Sequence, residues 1–475
     1  MNIVLLTIDC LRADRLSCMG YNRWTTPNID KMVAKGLLFR QTIINGVGTF
    51  ASFPSLMTSN HPFWNGTYER IDQRRRTLAE VLAEKGYTTS AFIDGNPYLT
   101  RGFGYDRGFK HFENRLDTGG LGSLKENIAK RWRTLSKRKQ FLNGINQIIL
   151  PFHYRCTQEM TGKTLTDEAL KWIKNTSRKF FLWVHYMDLH GPHFATDEYF
   201  DKVGHETPSR QDMAILNSIL SRNPEVYQSE DEVGKDQVRL LQAVYDAELR
   251  YVDDAIGMLL DEFQKMGISE KTLFIVTSDH GEEFYEHGRY HSHENFYEEM
   301  LRVPLIMKGG SLEQMVINRQ VEQIDIAPTI LDLVEEDNEP AWRGKSLLGP
   351  DFGTAYVVTE VAKDYIYLDG TNMVVDTNWA TRKCSVRFAI DNDKWKYIFD
   401  ISTQKEELYD LVQDPIENNN QIEARGEAGV RLQQLREYFM RHTKIEEQRM
   451  RIRLLAKKLK PSLAKEAFGF NQPIS

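Results

Sequence analysis

The sequence predicts an α/β protein with a mostly parallel sheet that is covered by helices on both faces. Short apolar runs that are typical of buried strands alternate with amphipathic, helix-like segments along most of the chain. Two of the strand-like runs end in potential metal ligands, one at Asp9 and one at Asp279 and His280. Because functional sites gather at the carboxyl ends of strands in such sheets, we expect these ends to meet.

The N-terminal elements alternate in the order that this fold requires. The run from Ile3 to Ile8 is a strand, and the next helix lies between Pro27 near its start and Gly36 just past its end, which are positions that these residues favour. A second helix ends at Gly86 and is followed by a strand that runs to Asp94. Each helix provides the crossover that parallel strands need.

The alternation continues in the middle of the chain. The segment D-E-A-L-K-W-I-K predicts a helix that leads into the strand F-F-L-W-V-H-Y. The amphipathic stretch from about Gln237 to Met266 then leads into a strand from Leu273 to Thr277. Helices between successive strands predict a sheet that is covered on both faces.

The chain is longer than one ordinary core, and its character changes along its length. We predict a large α/β domain over residues 1–345, with polar, weakly periodic insertions at about 119–155 and 197–235. Short strand-like stretches occupy residues 346–425, and a helical tail occupies 426–475. The tail ends in R-M-R-I-R-L-L-A-K-K-L-K, which could contact an anionic membrane surface or pack on its own domain with its basic face in water.

Composition argues against several kinds of partner. The 475 residues carry a net charge of −6, with 41% hydrophobic and 27% charged residues, which is typical of a globular protein and gives no electrostatic indication of nucleic-acid binding. No segment approaches the roughly 20 apolar residues that cross a bilayer. The four cysteines show no zinc or disulfide spacing, so we expect a reduced, cytoplasmic setting.

A hydroxyl-rich turn lies between the two acidic strand ends. It reads G-V-G-T-F-A-S-F-P-S-L-M-T-S and runs into a helix-like segment. A nucleophilic hydroxyl at a helix N-terminus would benefit from free N–H groups and from the positive end of the helix dipole. Serine and threonine are also ordinary helix caps, so the turn alone does not distinguish these roles.

Together these motifs resemble the sulfatase branch of the alkaline phosphatase superfamily over nearly the whole chain. The resemblance rests, in order, on V-L-L-T-I-D-C-L-R-A-D, T-T-P-N-I-D, L-M-T-S, H-Y-M-D-L-H-G-P-H, T-S-D-H-G-E, H-G-R-Y-H-S-H-E-N-F-Y-E-E-M-L-R-V-P-L-I, I-D-I-A-P-T-I-L-D-L and E-L-Y-D-L-V-Q-D-P. It implies an alkaline-phosphatase-like α/β fold, with residues 346–425 as a small C-terminal α+β subdomain. It also implies a metal-dependent hydrolase of sulfate or phosphate esters.

The family's nucleophile segment reads roughly C-x-P-S-R-x-x-L-x-T-G, and its first residue becomes formylglycine. Aligning L-M-T-S places Thr49 at that position, with Ala51 and Phe53 in place of the proline and the arginine. Threonine cannot supply formylglycine, but related branches such as lipoteichoic-acid-type phosphoglycerol transferases use an unmodified threonine. In a second register Ser52 is the nucleophile, and the chain would then be a formylglycine-type sulfuric ester hydrolase.

The resemblance implies one divalent metal ion, bound by Asp9, Thr49, Asp279 and His280. Cys10 stands where many sulfatases have another metal-binding aspartate, and the alternative role for it is a small buried hydrophobic residue beside the site. Oxygen ligands with one imidazole favour Mn²⁺ or Mg²⁺, with Ca²⁺ as a further candidate.

Histidines complete the expected site. His190 and His293 resemble positions that bind the ester oxygens or protonate the leaving group, and His193 and His291 are alternatives.

The predicted reaction is attack by Thr49 on a phosphodiester or related ester of a small molecule, glycan or lipid, in which water or an acceptor alcohol resolves the covalent intermediate. An acceptor alcohol would make the protein a phosphotransferase. The competing interpretation is a non-catalytic relative that binds a polyanion, and Phe53 and Cys10 are the arguments for it.

Overall fold

The computed structural model describes residues 1–62, 70–118, 160–220, 233–290, 295–349, 352–363, 367–369, 372–374, 385–392, 394–400 and 403–445. The strands are β1 (Asn2–Ile8), β2 (Leu37–Ile43), β3 (Thr88–Ile93), β4 (His111–Asn114), β5 (Phe180–Tyr186), β6 (Thr272–Ser278), β7 (Arg302–Lys308), β8 (Met315–Glu322), β9 (Val357–Lys363), β10 (Tyr367–Asp369), β11 (Asn372–Val374), β12 (Ser385–Asp391), β13 (Trp395–Asp400) and β14 (Lys405–Asp410). The α-helices are α1 (Pro27–Val33), α2 (Thr49–Thr58), α3 (Leu78–Glu84), α4 (Arg115–Thr118), α5 (Gly162–Lys174), α6 (Asp197–Val203), α7 (Arg210–Leu220), α8 (Lys235–Lys265), α9 (Glu298–Leu301), α10 (Ile326–Leu333) and α11 (Glu427–Ile445).

Strands β1 to β8 form one sheet with the order β4-β3-β5-β1-β6-β7-β2-β8. From β4 to β6 in this order the strands run parallel to one another, whereas β7 is antiparallel to both of its neighbours. Strands β5 and β6 are buried at every residue. Continuous apolar strands of this kind need cover on both faces, which explains their central place.

Alternate residues of β1 contribute to two different hydrophobic clusters. Val4 and Leu6 pack with side chains of α5 and α8 on one face of the sheet. Ile3 and Leu5 pack with side chains of α3 and α10 on the other face. Because successive side chains of a strand point to opposite faces, one apolar strand is enough to join both layers. The predicted sheet with helices on both faces is confirmed.

A second, antiparallel sheet has the order β14-β13-β12-β9. Helix α11 packs on it through Phe439, whose ring centroid lies 5.1 Å from that of Phe388 and 5.6 Å from that of Phe399. A β-bridge between Gly46 and Glu360 joins this unit to the loop after β2. This is the small C-terminal α+β unit that the resemblance implies.

Some predictions about organisation fall outside the described part of the chain. The insertion at 119–155 lies wholly outside it, and the one at 197–235 contains α6 and α7 with residues 221–232 outside. The basic end of the tail at 426–475 also lies outside. Among the described helices, none is both long and apolar enough to cross a membrane. The domain boundaries at residues 345 and 425, the cytoplasmic setting and the membrane contact of the tail stay predictions.

A buried lysine joins the second sheet to α9. Lys396 of β13 is 0% exposed, and its Nζ lies 2.8 Å from Glu298 Oε1 and 3.0 Å from Glu417 Oε1. Burial disfavours the charged lysine, but these carboxylates outweigh burial and raise its pKa, so the ammonium group stays charged. Removal of one member of a buried ion pair leaves an uncompensated charge in the interior.

We therefore expect Lys396→Ala to lower the free energy of unfolding by about 3 kcal/mol or more in urea denaturation. The matched control is Lys394→Ala, because Lys394 is exposed at the start of the same hairpin. Its effect should stay within about 0.5 kcal/mol. Equal effects of the two substitutions would show that the buried ion pairs do not hold the unit together.

Candidate active site

The in-register pairing of β1 and β6 brings the two acidic strand ends together. Ile8 is paired with Ser278, so Asp9 and Asp279 follow at the same level of the sheet. Both carboxylates and the imidazole of His280 are 0% exposed. His280 Nε2 lies 3.6 Å from Asp9 Oδ1 and 3.5 Å from Asp279 Oδ2. Side chains from two distant parts of the sequence therefore form one cluster.

Thr49 reaches this cluster from the first turn of α2. The preceding residue, Gly48, has a φ of 79°, a left-handed conformation that favours glycine and turns the chain sharply into the helix. Thr49 Oγ1 donates to Asp279 Oδ2 at 2.8 Å and lies 3.5 Å from both Asp9 Oδ2 and His280 Nε2. The hydroxyl thus lies beside all of the expected metal ligands, at the positive end of a 10-residue helix.

Burial and neighbouring charges shift the pKa values of the two buried carboxylates in opposite directions. Burial raises the pKa of Asp279 above its usual value, and the charge of Asp9 raises it further. Burial also acts on Asp9, but the contact with His185 and the charges of His190 and His280 outweigh it and hold the pKa of Asp9 well below its usual range. A pair of neighbouring carboxylates in the interior is suited to a cation.

Neighbouring groups fix the orientation of the ligand atoms. His280 Nδ1 donates to the carbonyl oxygen of Gly281 at 2.7 Å, so in the neutral ring the lone pair belongs to Nε2, which faces the cluster. Asn96 Nδ2 donates to Asp9 Oδ2 at 3.1 Å, and His185 Nε2 lies 3.4 Å from the same oxygen. Sequence reasoning missed Asn96 and His185. Only their places at the ends of β3 and β5 could have indicated them.

Cys10 lies directly beside Asp9. Its Sγ donates to Asp9 Oδ1 at 3.1 Å, its side chain is 0% exposed and its φ is 58°. Burial raises the pKa of the Cys10 thiol well above its usual value, and the nearby carboxylates raise it further. The Cys10 thiol also forms a group of potential metal ligands with Asp9 and His280, whose ligand atoms all lie within 4.8 Å of one another.

The donor set fits the predicted metal ion. Asp9, Asp279, Thr49 and His280 offer three oxygen groups and one imidazole within a small buried volume, a set that suits Mn²⁺ or Mg²⁺. Within the described ranges, neither carboxylate forms an ion pair with a lysine or an arginine. A bound divalent cation would compensate their charge.

Ser52 and Phe53 face other parts of the interior. Ser52 Oγ donates to Gln323 Oε1 at 2.9 Å, and Gln323 Nε2 donates to a carbonyl oxygen of β6 at 2.7 Å. Phe53, which stands in place of the family's arginine, is fully buried and packs edge-on against His185 with centroids 4.9 Å apart. The geometry brings Thr49, rather than Ser52, to the candidate ligands.

The predicted histidines lie in different places. The charge of His190 helps to lower the pKa of Asp9, and His190 Nδ1 donates to the carbonyl oxygen of Gly191 at 2.7 Å. His193 is 0% exposed and forms its hydrogen bonds within the interior. His291 and His293 lie outside the described residues, so their roles stay predictions.

A second group of potential ligands, Glu283, His287 and Glu299, lies in the loop after β6 and on α9. His287 Nδ1 is 2.8 Å from Glu299 Oε1. Burial disfavours the charged ring, but the hydrogen bond and the charge of Glu299 raise the pKa of His287 to about 9. His287 and Glu299 of this group therefore form an imidazolium–carboxylate pair.

Comparison with known proteins identifies the family and the fold. A protein-family model described as sulfatase matches residues 1–336, and one described as the C-terminal part of N-sulphoglucosamine sulphohydrolase matches residues 285–444. Arylsulfatase K of Gallus gallus is 24% identical over 457 residues, which cover 88% of this chain and 78% of that protein.

Two solved structures share the fold. The phosphonate monoester hydrolase of Agrobacterium radiobacter superposes with a TM-score of 0.67 at 19% identity, covering 92% of this chain and 94% of that one. BT4656, solved in complex with D-glucosamine-2-N,6-O-disulfate, gives a TM-score of 0.68 at 17% identity, covering 94% and 98%.

A mostly parallel sheet with a cluster of acidic and imidazole groups at the ends of its central strands defines an alkaline-phosphatase-like hydrolase. The chain belongs to the sulfatase family, because the sulfatase model matches well over half of it. The predicted alkaline-phosphatase-like fold and the prediction of a sulfuric or phosphoric ester hydrolase are confirmed.

Metal binding can be measured through stability. After treatment with EDTA, Mn²⁺ at 100 times its Kd should stabilise the wild type by about 2.7 kcal/mol and raise its Tm. Asp279→Asn should abolish this shift, because the amide removes the anionic ligand. Ser52→Ala is the matched control and should respond like the wild type. An unchanged shift in Asp279→Asn would place the ion elsewhere.

Proposed function

We propose that the protein is a metal-dependent hydrolase that cleaves a phosphodiester, or a similar monoanionic phosphorus ester, through a covalent intermediate on Thr49. The observation that carries this proposal is the position of Thr49 Oγ1, which is 2.8 Å from Asp279 Oδ2 and 3.5 Å from both Asp9 Oδ2 and His280 Nε2. Threonine is not a precursor of formylglycine, so the hydroxyl itself is the candidate nucleophile.

The surroundings of the nucleophile favour a substrate with one negative charge. Phe53 replaces the arginine of the family motif and is buried against His185 and Trp183, so this position contributes no cation. A phosphodiester carries one negative charge at neutral pH, whereas a phosphate monoester carries nearly two. The phosphonate monoester hydrolase that shares the fold is named for a monoanionic ester of the same kind.

The chain's own residues account for the steps of the reaction. Thr49 Oγ1 attacks phosphorus, and the bond from phosphorus to the departing alcohol breaks as the new bond forms. The Thr49 hydroxyl proton points at Asp279 Oδ2, which can accept it. A bound divalent ion would supply Lewis acidity that lowers the pKa of the Thr49 hydroxyl. The N-terminus of α2 stabilises the developing negative charge.

His190 is the proposed acid that protonates the departing alcohol, because its charge acts on Asp9 and histidine is a common general acid near neutral pH. Water then attacks the phosphorus of the Thr49 adduct and the bond from phosphorus to Thr49 Oγ1 breaks. The products are a phosphate monoester and the restored Thr49 hydroxyl. An alcohol in place of water would make the same site a transferase.

The second candidate is hydrolysis of a sulfate ester. The sulfatase family match favours it, as does the name of arylsulfatase K. A sulfate monoester is also a monoanion, so the charge argument does not separate it from a phosphodiester. Turnover of a matched sulfate ester and phosphodiester separates the two functions.

The test is paired turnover of bis(4-nitrophenyl) phosphate and 4-nitrophenyl sulfate with Mn²⁺, by wild type, Thr49→Ala and Ser52→Ala. We expect the diester to be the better substrate. Thr49→Ala should lower its kcat by about 10³-fold or more, because the covalent route is lost. Ser52→Ala, the matched control, should change kcat by less than about tenfold.

Three results would contradict the proposal. Sulfate turnover that survives Thr49→Ala but is lost in Ser52→Ala would establish a formylglycine-type sulfatase. Diester turnover that survives Thr49→Ala would remove the covalent step. Tight binding of the esters with no turnover of either one would favour the non-catalytic relative that binds a polyanion.

A further inference from the structure

A chain of buried hydrogen bonds joins Glu248, His193 and Tyr290. Glu248 Oε2 lies 2.7 Å from His193 Nδ1, and His193 Nε2 lies 2.7 Å from the hydroxyl oxygen of Tyr290. The three residues are 1%, 0% and 5% exposed. Polar groups that are buried together in this way rigidify the interior when all of them are satisfied.

The donor and the acceptor of each of these hydrogen bonds follow from the groups that can only accept. The carboxylate of Glu248 accepts from His193 Nδ1, so in the neutral ring Nε2 accepts from the hydroxyl of Tyr290. Glu248 Oε1 also accepts from the backbone N–H of Phe194 at 2.5 Å. Asn217 of α7 bonds to both backbone polar groups of His193 at 3.0 Å. His193 is therefore held in one orientation.

Tyr290, the last member of this series of hydrogen bonds, lies against the backbone that carries His190. A Cβ placed on Gly191 would be 2.6 Å from the Tyr290 hydroxyl oxygen, so this hydroxyl is in close contact with Gly191. The carbonyl oxygen of Gly191 in turn bonds to His190 Nδ1 at 2.7 Å. Tyr290 therefore lies one residue away from the group that is proposed to protonate the leaving alcohol.

We propose that Tyr290, held by His193 and Glu248, is a positioning residue that aligns His190 for protonation of the departing alcohol. The inference rests on the proposed function. Glu248 lies on the rigid helix α8, and His193 and Tyr290 lie in the loops after β5 and β6. The hydrogen-bonded chain fixes these two loops relative to each other and to α8.

The test compares two esters whose leaving groups require protonation to different extents. Loss of 4-nitrophenolate requires little protonation, whereas loss of the more basic phenolate requires much more. The probes are the 4-nitrophenyl and phenyl esters of ethyl phosphate, assayed with Mn²⁺. In Tyr290→Phe we expect kcat for the phenyl ester to fall by about 10- to 100-fold and kcat for the 4-nitrophenyl ester to change by less than about threefold.

Tyr251→Phe is the matched control. Tyr251 is also a buried tyrosine, 6% exposed, but its hydroxyl donates to the carbonyl oxygen of Met160. We expect this control to change kcat for both esters by the same factor. His193→Gln serves as a second variant if Tyr290→Phe does not fold, and the same dependence on the leaving group is expected from it.

A double-mutant cycle completes the test. In a His190→Gln background, Tyr290→Phe should have no further effect that depends on the leaving group, because the acid that it aligns is absent. Equal losses for both esters in Tyr290→Phe would reduce Tyr290 to a structural role and overturn the inference, while the proposed function would stand. Turnover of neither ester by the wild type would instead overturn the proposed function, and the inference with it.

Discussion

The register between β1 and β6 is the constraint on which the site depends. It places the carboxylates of Asp9 and Asp279 side by side in the interior, where each is 0% exposed. A slip of one residue in β1 would turn Asp9 to the opposite face of the sheet. The apolar residues of these central strands prevent such a slip, because they are packed on both faces. The hydrophobic core thus holds together two charges that repel each other.

The rest of the site compensates for this repulsion. Asn96 donates to Asp9, His185 Nε2 lies 3.4 Å from the same carboxylate, and Thr49 donates its hydroxyl to Asp279 from a helix N-terminus. A divalent cation would complete the neutralisation. This arrangement explains why the chain has acidic and imidazole groups at positions where stability alone would favour apolar ones. Removing one carboxylate would relieve this repulsion and would also remove a ligand of the proposed metal ion.

The sequence predicted the parts of the site that depend on local signals. Asp9, Asp279 and His280 follow unmistakable apolar strands, and parallel strands expose their carboxyl ends at one edge. The turn before α2 could be located from Gly48 and the hydroxyl residues after it, but the choice between Thr49 and Ser52 rested on motif spacing alone. In the folded chain the two hydroxyls point to different partners, the ligand cluster and Gln323.

Other features could not be predicted, because they depend on contacts between distant segments. His185 lies in a buried strand, and its neighbours in the sequence are typical of a hydrophobic core. Its position beside Asp9 follows only from the pairing of β1 with β5. The link from Glu248 through His193 to Tyr290 joins a helix to two loops that are far apart in sequence. No periodicity or spacing in the sequence predicts such a series of hydrogen bonds.

The central claim is that Thr49 forms a covalent bond to the substrate phosphorus. Mass spectrometry of the protein, acid-quenched during turnover of bis(4-nitrophenyl) phosphate and digested, tests it most directly. The account predicts a phosphoryl adduct on the peptide that contains Thr49 and Ser52, with fragmentation that assigns it to Thr49. An adduct on Ser52, or rapid turnover with no adduct under conditions where 4-nitrophenol is released in a burst, would contradict it.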